Sequence, residues 1–168
     1  LWARLLGWVN ENLLAVVDKS SPVEPFSIFL LSLTSGEKRR LTSPPAGYDG
    51  DTNPTLSPDG QTLAFVRSRN FGGFGSATDI YVIPVSGGEA QQLTSDSRPV
   101  AGLAWDADGR SIVFSSNRVG TFGLWRISAS GGTPESLPAI GDKAFSPAIS
   151  RQGNCLAFVE LMLDANIW

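Results

Sequence analysis

The chain has 168 residues, a net charge of −3 and a pI of about 4.9, with 42 % hydrophobic and 17 % charged residues. That balance excludes a disordered chain, and Lys38-Arg39-Arg40 as the one basic run excludes a nucleic-acid-binding surface in this segment. With no histidine and a single cysteine, no Ser-His-Asp triad, Cys-His pair, zinc site or internal disulfide can be built from these residues, and no apolar run is long enough to span a membrane.

Taken in chain order, the elements repeat. Leu1 to Gly7 does not read as a signal peptide: it has no charged leader and no small-residue cleavage site. Trp8-Val9-Asn10-Glu11-Asn12-Leu13-Leu14-Ala15-Val16 is a worn strand-turn-strand unit. Ser27-Ile28-Phe29-Leu30-Leu31 predicts a third strand, and Ser35-Gly36 turns the chain towards Arg40-Leu41-Thr42. Lys38-Arg39-Arg40 are expected as solvated positions on an outer strand. The unit then recurs with a sharper turn as Ser57-Pro58-Asp59-Gly60-Gln61-Thr62-Leu63-Ala64-Phe65. Asp79-Ile80-Tyr81-Val82-Ile83 and Ser86-Gly87-Gly88 before Gln92-Leu93-Thr94 follow it in step. Asp106 to Phe114, Gly123-Leu124-Trp125-Arg126-Ile127 and Gly131-Gly132 before Ser136-Leu137-Pro138 form the next copy. Ser150-Arg151-Gln152-Gly153-Asn154-Cys155-Leu156-Ala157-Phe158 and Asn166-Ile167-Trp168 begin one more.

The glycines of the sharp turns lie 49 and then 44 residues apart. Asp-Gly and Gly-Gly supply the positive φ that tight hairpins need. Short continuous apolar runs such as Leu63 to Val66 mark strands covered on both faces. Four strands in such a length is the size of a propeller blade. The prediction is therefore an all-β chain, a β-propeller of four-stranded antiparallel blades with about three and a half blades present. The repeat units are expected at about 1–52, 53–100, 101–144 and 145–168. A propeller needs about four blades to close, so the chain is expected to be a piece of a longer one; closure between copies is the alternative.

The Ser57-Pro58-Asp59-Gly60 turn, Leu63-Ala64-Phe65, Asp79-Ile80-Tyr81 and the Gly-Gly turn before Gln92-Leu93-Thr94 together resemble the TolB-type, WD-like Pro-Asp repeat of bacterial propellers. The resemblance covers nearly the whole chain. It departs in the first copy, which lacks the Pro-Asp-Gly turn, and in the last, where Gln152 replaces the aspartate. It implies three kinds of parent: a periplasmic propeller that binds partner proteins of the cell envelope, a propeller that caps prolyl-oligopeptidase or dipeptidyl-peptidase type serine peptidases, and a regulator with an N-terminal winged helix and C-terminal repeats. It also implies a periplasmic or otherwise extracytoplasmic location, with the cytoplasm as the alternative.

The residues point to binding rather than chemistry. Asp59 and Asp108 are expected to bond their own backbone in the turns, and Asp79 to bond backbone or a neighbouring blade. Asp49 and Asp51 are two acids in a glycine-bearing loop; a loose calcium site is the alternative there, but no metal is expected from two acids alone. Cys155, beside Leu156-Ala157-Phe158, is expected as a buried, inert thiol. Propellers bind partners at the loops of one rim and at the central channel. That rim carries Tyr48, Asp49, Arg67, Arg69, Phe71, Phe74, Arg98, Arg118 and Phe122, with Asp51, Asp96 and Asn117 among them. Arginine and aromatic side chains are the types that dominate binding hot spots; bonds between blades are the alternative role for the recurring Ser-Arg-Asn and Ser-Asn-Arg. The function expected is a non-catalytic interaction or sensing propeller with a protein or peptide partner, no cofactor and no metal. A peptidase gate is the alternative, and a sugar or other small-molecule ligand a third reading.

Overall fold

The structure, a computed structural model, describes residues 4–69, 76–138, 143–153 and 155–161, with side chains from residue 7 onward. Among these residues there are fourteen strands and no helix long and apolar enough to cross a membrane. Strands β1 (Arg4–Asn10), β2 (Leu13–Asp18), β3 (Ser27–Ser32) and β4 (Lys38–Arg40) form one antiparallel sheet in chain order. Strands β5 (Gly50–Leu56), β6 (Thr62–Ser68), β7 (Thr78–Pro84) and β8 (Gln91–Gln92) form the second. Strands β9 (Val100–Trp105), β10 (Ser111–Ser116), β11 (Gly123–Ser128) and β12 (Glu135–Ser136) form the third. Strands β13 (Ala144–Ile149) and β14 (Leu156–Glu160) pair as a fourth; Asn166-Ile167-Trp168 lies outside the described residues. The fold is an all-β propeller of four-stranded antiparallel blades.

The blades stack face to face. Ala15, Val17, Ile28 and Leu30 of the first pack against Leu63, Phe65 and Ile83 of the second. Ala64, Val66, Ile80 and Val82 of the second pack against Leu103, Trp105, Ile112, Phe114 and Ile127 of the third. This is why β6 and β7 read as unbroken apolar runs. The fourth strands carry no such face, so β4 and β8 are exposed and polar. Arg39 still reaches forward, its Nη2 donating to the Val85 carbonyl at 2.9 Å.

The first strand of each sheet meets its counterpart in the next, β1 with β5, β5 with β9 and β9 with β13. They line the centre. Each of β5, β9 and β13 carries a β-bulge at the same repeat position, where Asn53, Gly102 and Ser146 adopt φ of 51°, 113° and 48°. Pro54 and Pro147 follow two of them, removing a donor from a strand edge. The bulges touch: a Cβ on Gly102 would lie 2.8 Å from the Ser146 Cα, so only glycine fits there.

The sharp turns explain their own sequence. Ser57 Oγ donates to Asp59 at 2.5 Å and accepts from the Thr62 amide at 2.9 Å; Asp59 also accepts from the Gln61 amide. Asp108 accepts from the Arg110 amide, and Asn10 from the Asn12 amide in the worn copy. The turns also stack between blades. A Cβ on Gly109 would sit 3.6 Å from Pro58, and one on Gly153 2.8 Å from the Ala107 Cβ.

Cys155 corrects an expectation. It is exposed, not buried. It immediately precedes the hairpin strand β14, which pairs with β13 alone among the described residues, and Phe158 and Val159 on that strand are exposed with it.

Candidate binding rim and turn-end groove

One end of the blades carries the β2–β3, β6–β7 and β10–β11 loops and the segments that join blades. Here the sequence places Thr42 and Thr94 after the apolar Leu41 and Leu93, which tuck under the sheet. Each threonine hydroxyl accepts the first free amide of the third strand, Ile28 N and Ile80 N, both at 2.9 Å. That anchors the joining segment. The third copy has Pro138 in this place and only the Leu137 to Leu124 backbone bond.

On the anchored segments the arginines find acids. Arg67 donates from Nε and Nη2 to both oxygens of Asp51, at 2.7 and 2.9 Å. Asp51 is fully buried, and burial pushes its carboxyl up from the ordinary range against the pull of Arg67 and Thr42. The guanidinium keeps its charge throughout. It also lies 4.7 Å from the Tyr81 ring and 5.6 Å from Phe65, which stack on each other. At the next junction Arg118 clasps Asp96 at 2.7 to 3.1 Å and sits 4.9 Å from Phe114 and 5.3 Å from Trp125. In the first blade the matching ring, Phe29, has Lys38 at 4.3 Å and Arg40 at 5.3 Å. Phe29, Tyr81 and Trp125 occupy one repeat position, so every described third strand presents a ring to a cation that arrives from a different place in the chain.

The rim residues therefore divide. Tyr48, Arg67 and Arg69 gather with Tyr81 at the first junction; the exposed Arg69 lies 5.7 Å from the half-buried Tyr48 ring. Asp49 is half-buried, its amide bonded to the Ser68 carbonyl and its carbonyl to the Phe26 amide. Arg118 belongs to the second junction with Asp96. Arg98 is exposed, and its carbonyl accepts from Thr78 Oγ1 at 2.9 Å. Phe122 is buried, its ring 4.8 Å from Phe145. Phe71 and Phe74 lie outside the described residues. Between the second and third blades a cleft of about 320 Å³ opens at this end, lined by Thr52, Asn53, Thr78, Pro99, Val100 and Phe122 among others, with no charged side chain among the described residues.

The opposite, turn end holds a larger groove of about 1130 Å³. It runs across the ends of the four innermost strands. Leu56, Leu103, Trp105, Pro147 and Ile149 make its apolar floor, and Trp8, Glu11, Asp59, Gln61 and Arg151 its edge. Trp105 is fixed by its Nε1–H to the Thr55 carbonyl at 3.0 Å. Sequence reading did not single out Trp8, Glu11 or the ring position at Tyr81 and Trp125. The signals were present: the rings recur in register, and Trp8 and Glu11 interrupt the turn pattern. The two aspartates read as turn formers, Asp59 and Asp108, do bond their own backbone, and Asp79 bonds Thr94 and Ser97 of the joining segment.

Residues 26–168 match the family described as the Tricorn protease N-terminal β-propeller domain. An uncharacterized protein of Agrobacterium fabrum, Atu1656, is 30 % identical over 82 % of this chain and 44 % of its own length. An uncharacterized peptidase of Bacillus subtilis, YuxL, is 39 % identical over 48 % of this chain and 10 % of its own. Among solved structures, TolB of Acinetobacter baumannii superposes with a TM-score of 0.75 at 25 % identity, over 94 % of this chain and 37 % of that one. The chain thus spans less than half the length of these relatives.

Proposed function

Because the chain belongs to the family of the Tricorn protease N-terminal β-propeller domain, we propose that it is a non-catalytic binding segment of a propeller that holds a protein or peptide partner at its axial ends. The observation that carries this is the turn-end groove: a recess of about 1130 Å³ with an apolar floor and a charged, aromatic edge. That is the anatomy of a recognition surface. Without histidine, the groove's residues bind and orient a partner but assemble no Ser-His-Asp relay. At the loop rim, the exposed Arg69 and Arg98 are the candidates for partner contact, whereas Arg67 and Arg118 are engaged by Asp51 and Asp96. The proposal includes an extracytoplasmic setting, supported by the likeness to TolB, and a parent that is an envelope or regulatory protein.

A second reading is favoured by one observation, the peptidase named among the relatives. In it the same groove passes peptides towards a catalytic domain elsewhere in the parent. The test is a fluorescently labelled pool of unstructured peptides, followed by polarisation and mass spectrometry. Saturable binding without cleavage is the expected result; cleavage by the 168-residue chain, or no saturable binding, overturns the proposal.

A further inference from the structure

The first turn breaks the repeat in two places. Where later copies have Ser57, Asp106 and Ser150, the first has Trp8; where they have Gly60, Gly109 and Gly153, it has Glu11. The usual occupants are there for the turn. Ser57 Oγ closes it, and the glycines take φ of 69° to 73°. Trp8 can do nothing of the kind. Trp8 is 65 % exposed, the most open large aromatic among the described residues, and none of the cation–ring contacts among those residues falls on it. Residues that abandon the local rule without a packing gain mark function more often than neglect. Both substitutions place their side chains at one groove, where the exposed Asp59 of the next blade joins them. Hydrogen bonds from Ser57 and Gln61 hold the Asp59 carboxyl below its ordinary range, so it is anionic. Arg151 stands on the same lining and is its one cationic side chain among the described residues.

An open indole that shares one groove with two carboxylates is complementary to a cation with an apolar stem. The rest of the molecule shows the pairing in use, for Phe29, Tyr81 and Trp125 each carry a cation. We propose that Trp8, Glu11 and Asp59 form a subsite for a basic side chain, lysine or arginine, of the partner peptide bound in the turn-end groove. The inference rests on the binding reading above and specifies which residue of the partner that groove selects. The indole face takes the cation, and the carboxylates set its orientation and its salt dependence.

The test compares acetyl-Ala-Ala-Arg-Ala-Ala-amide with the same peptide carrying citrulline, by calorimetric titration of the 168-residue chain. Citrulline keeps shape and stem and loses the charge. The arginine peptide is expected to bind about five- to tenfold more tightly, and the preference to shrink with added salt. Trp8→Ser restores the repeat residue, so it is expected to keep or raise the melting temperature while abolishing the preference; Glu11→Gln halves or further reduces it. Equal binding of the two peptides, no binding of either, or a preference that survives Trp8→Ser overturns the subsite. If the unstructured pool binds and the arginine preference is absent, the subsite falls alone. If the pool does not bind, the binding reading falls with it.

Discussion

The two junctions between the first three blades solve the same problem with the acid in different places. At the first, Asp51 opens the innermost strand of the second blade, cross-strand from Arg67, and Thr42 of the first blade reaches over to it. At the second, the matching position is the apolar Val100. Thr94 donates instead to Asp79 of its own blade, and Asp96 of the joining segment crosses to Arg118. The first acid is fully buried; the second is 45 % exposed. Placement, more than the count of bonds, decides what each clamp contributes. A buried carboxylate depends on its one cation, whereas an exposed one falls back on water.

Breaking the clamps separates them. Arg67→Met keeps the stem over Tyr81 and leaves Asp51 buried without its cation; the expected loss is about 3–5 kcal/mol, read by urea denaturation. Gly102→Ala tests the bulge contact between the third and fourth blades instead. Its Cβ would press on the Ser146 backbone at a φ that side chains avoid, for an expected loss of about 1–3 kcal/mol. Thr94→Val strands the buried Ile80 amide and is expected to cost about 1–2 kcal/mol by the same measurement. Arg118→Met, the counterpart of the first change, is expected to cost about 1 kcal/mol or less. Equal losses at Arg67 and Arg118 would show that burial of the acid is not what distinguishes the junctions.

The pH dependence sharpens the contrast with no change of side-chain volume. Burial raises the Asp79 carboxyl, against bonds from Ser97 and Thr94. Its folded form holds a proton more tightly than the unfolded chain. Its stabilising contribution is therefore present below about pH 4, the unfolded value, and is lost as pH rises through the folded one. Asp59 is lowered by Ser57 and Gln61, so its contribution is present above that value and is lost as pH falls through the folded one. Stability measured from pH 2 to 6 should change slope in opposite directions for Asp79→Asn and Asp59→Asn.

The propeller was legible because the turn glycines, the apolar runs and the Leu-Thr segments recur in register, and each is a local cause of local structure. The roles of the rim were less so. Arg67 and Arg118 read as an exposed pair on a loop rim, but their acids lie 16 and 22 residues earlier. Nothing in the intervening sequence fixes which register brings them together. Phe122 reads as a contact residue until Phe145, on the next blade, is known to cover it. Cys155 took its expected burial from Leu156, Ala157 and Phe158, and that inference needs a covering face.

The stacked turns carry one more consequence. The residue before the aspartate in each turn, Pro58 or Ala107, rests on the glycine of the following blade, Gly109 or Gly153. The two positions act as a spacer and a notch, and together they gauge the angle at which consecutive blades splay at this end. A blade transplanted to another place in the ring would bring its own spacer but meet a foreign notch. In this architecture, blades made by duplication stay exchangeable only while that pair of small residues changes in concert.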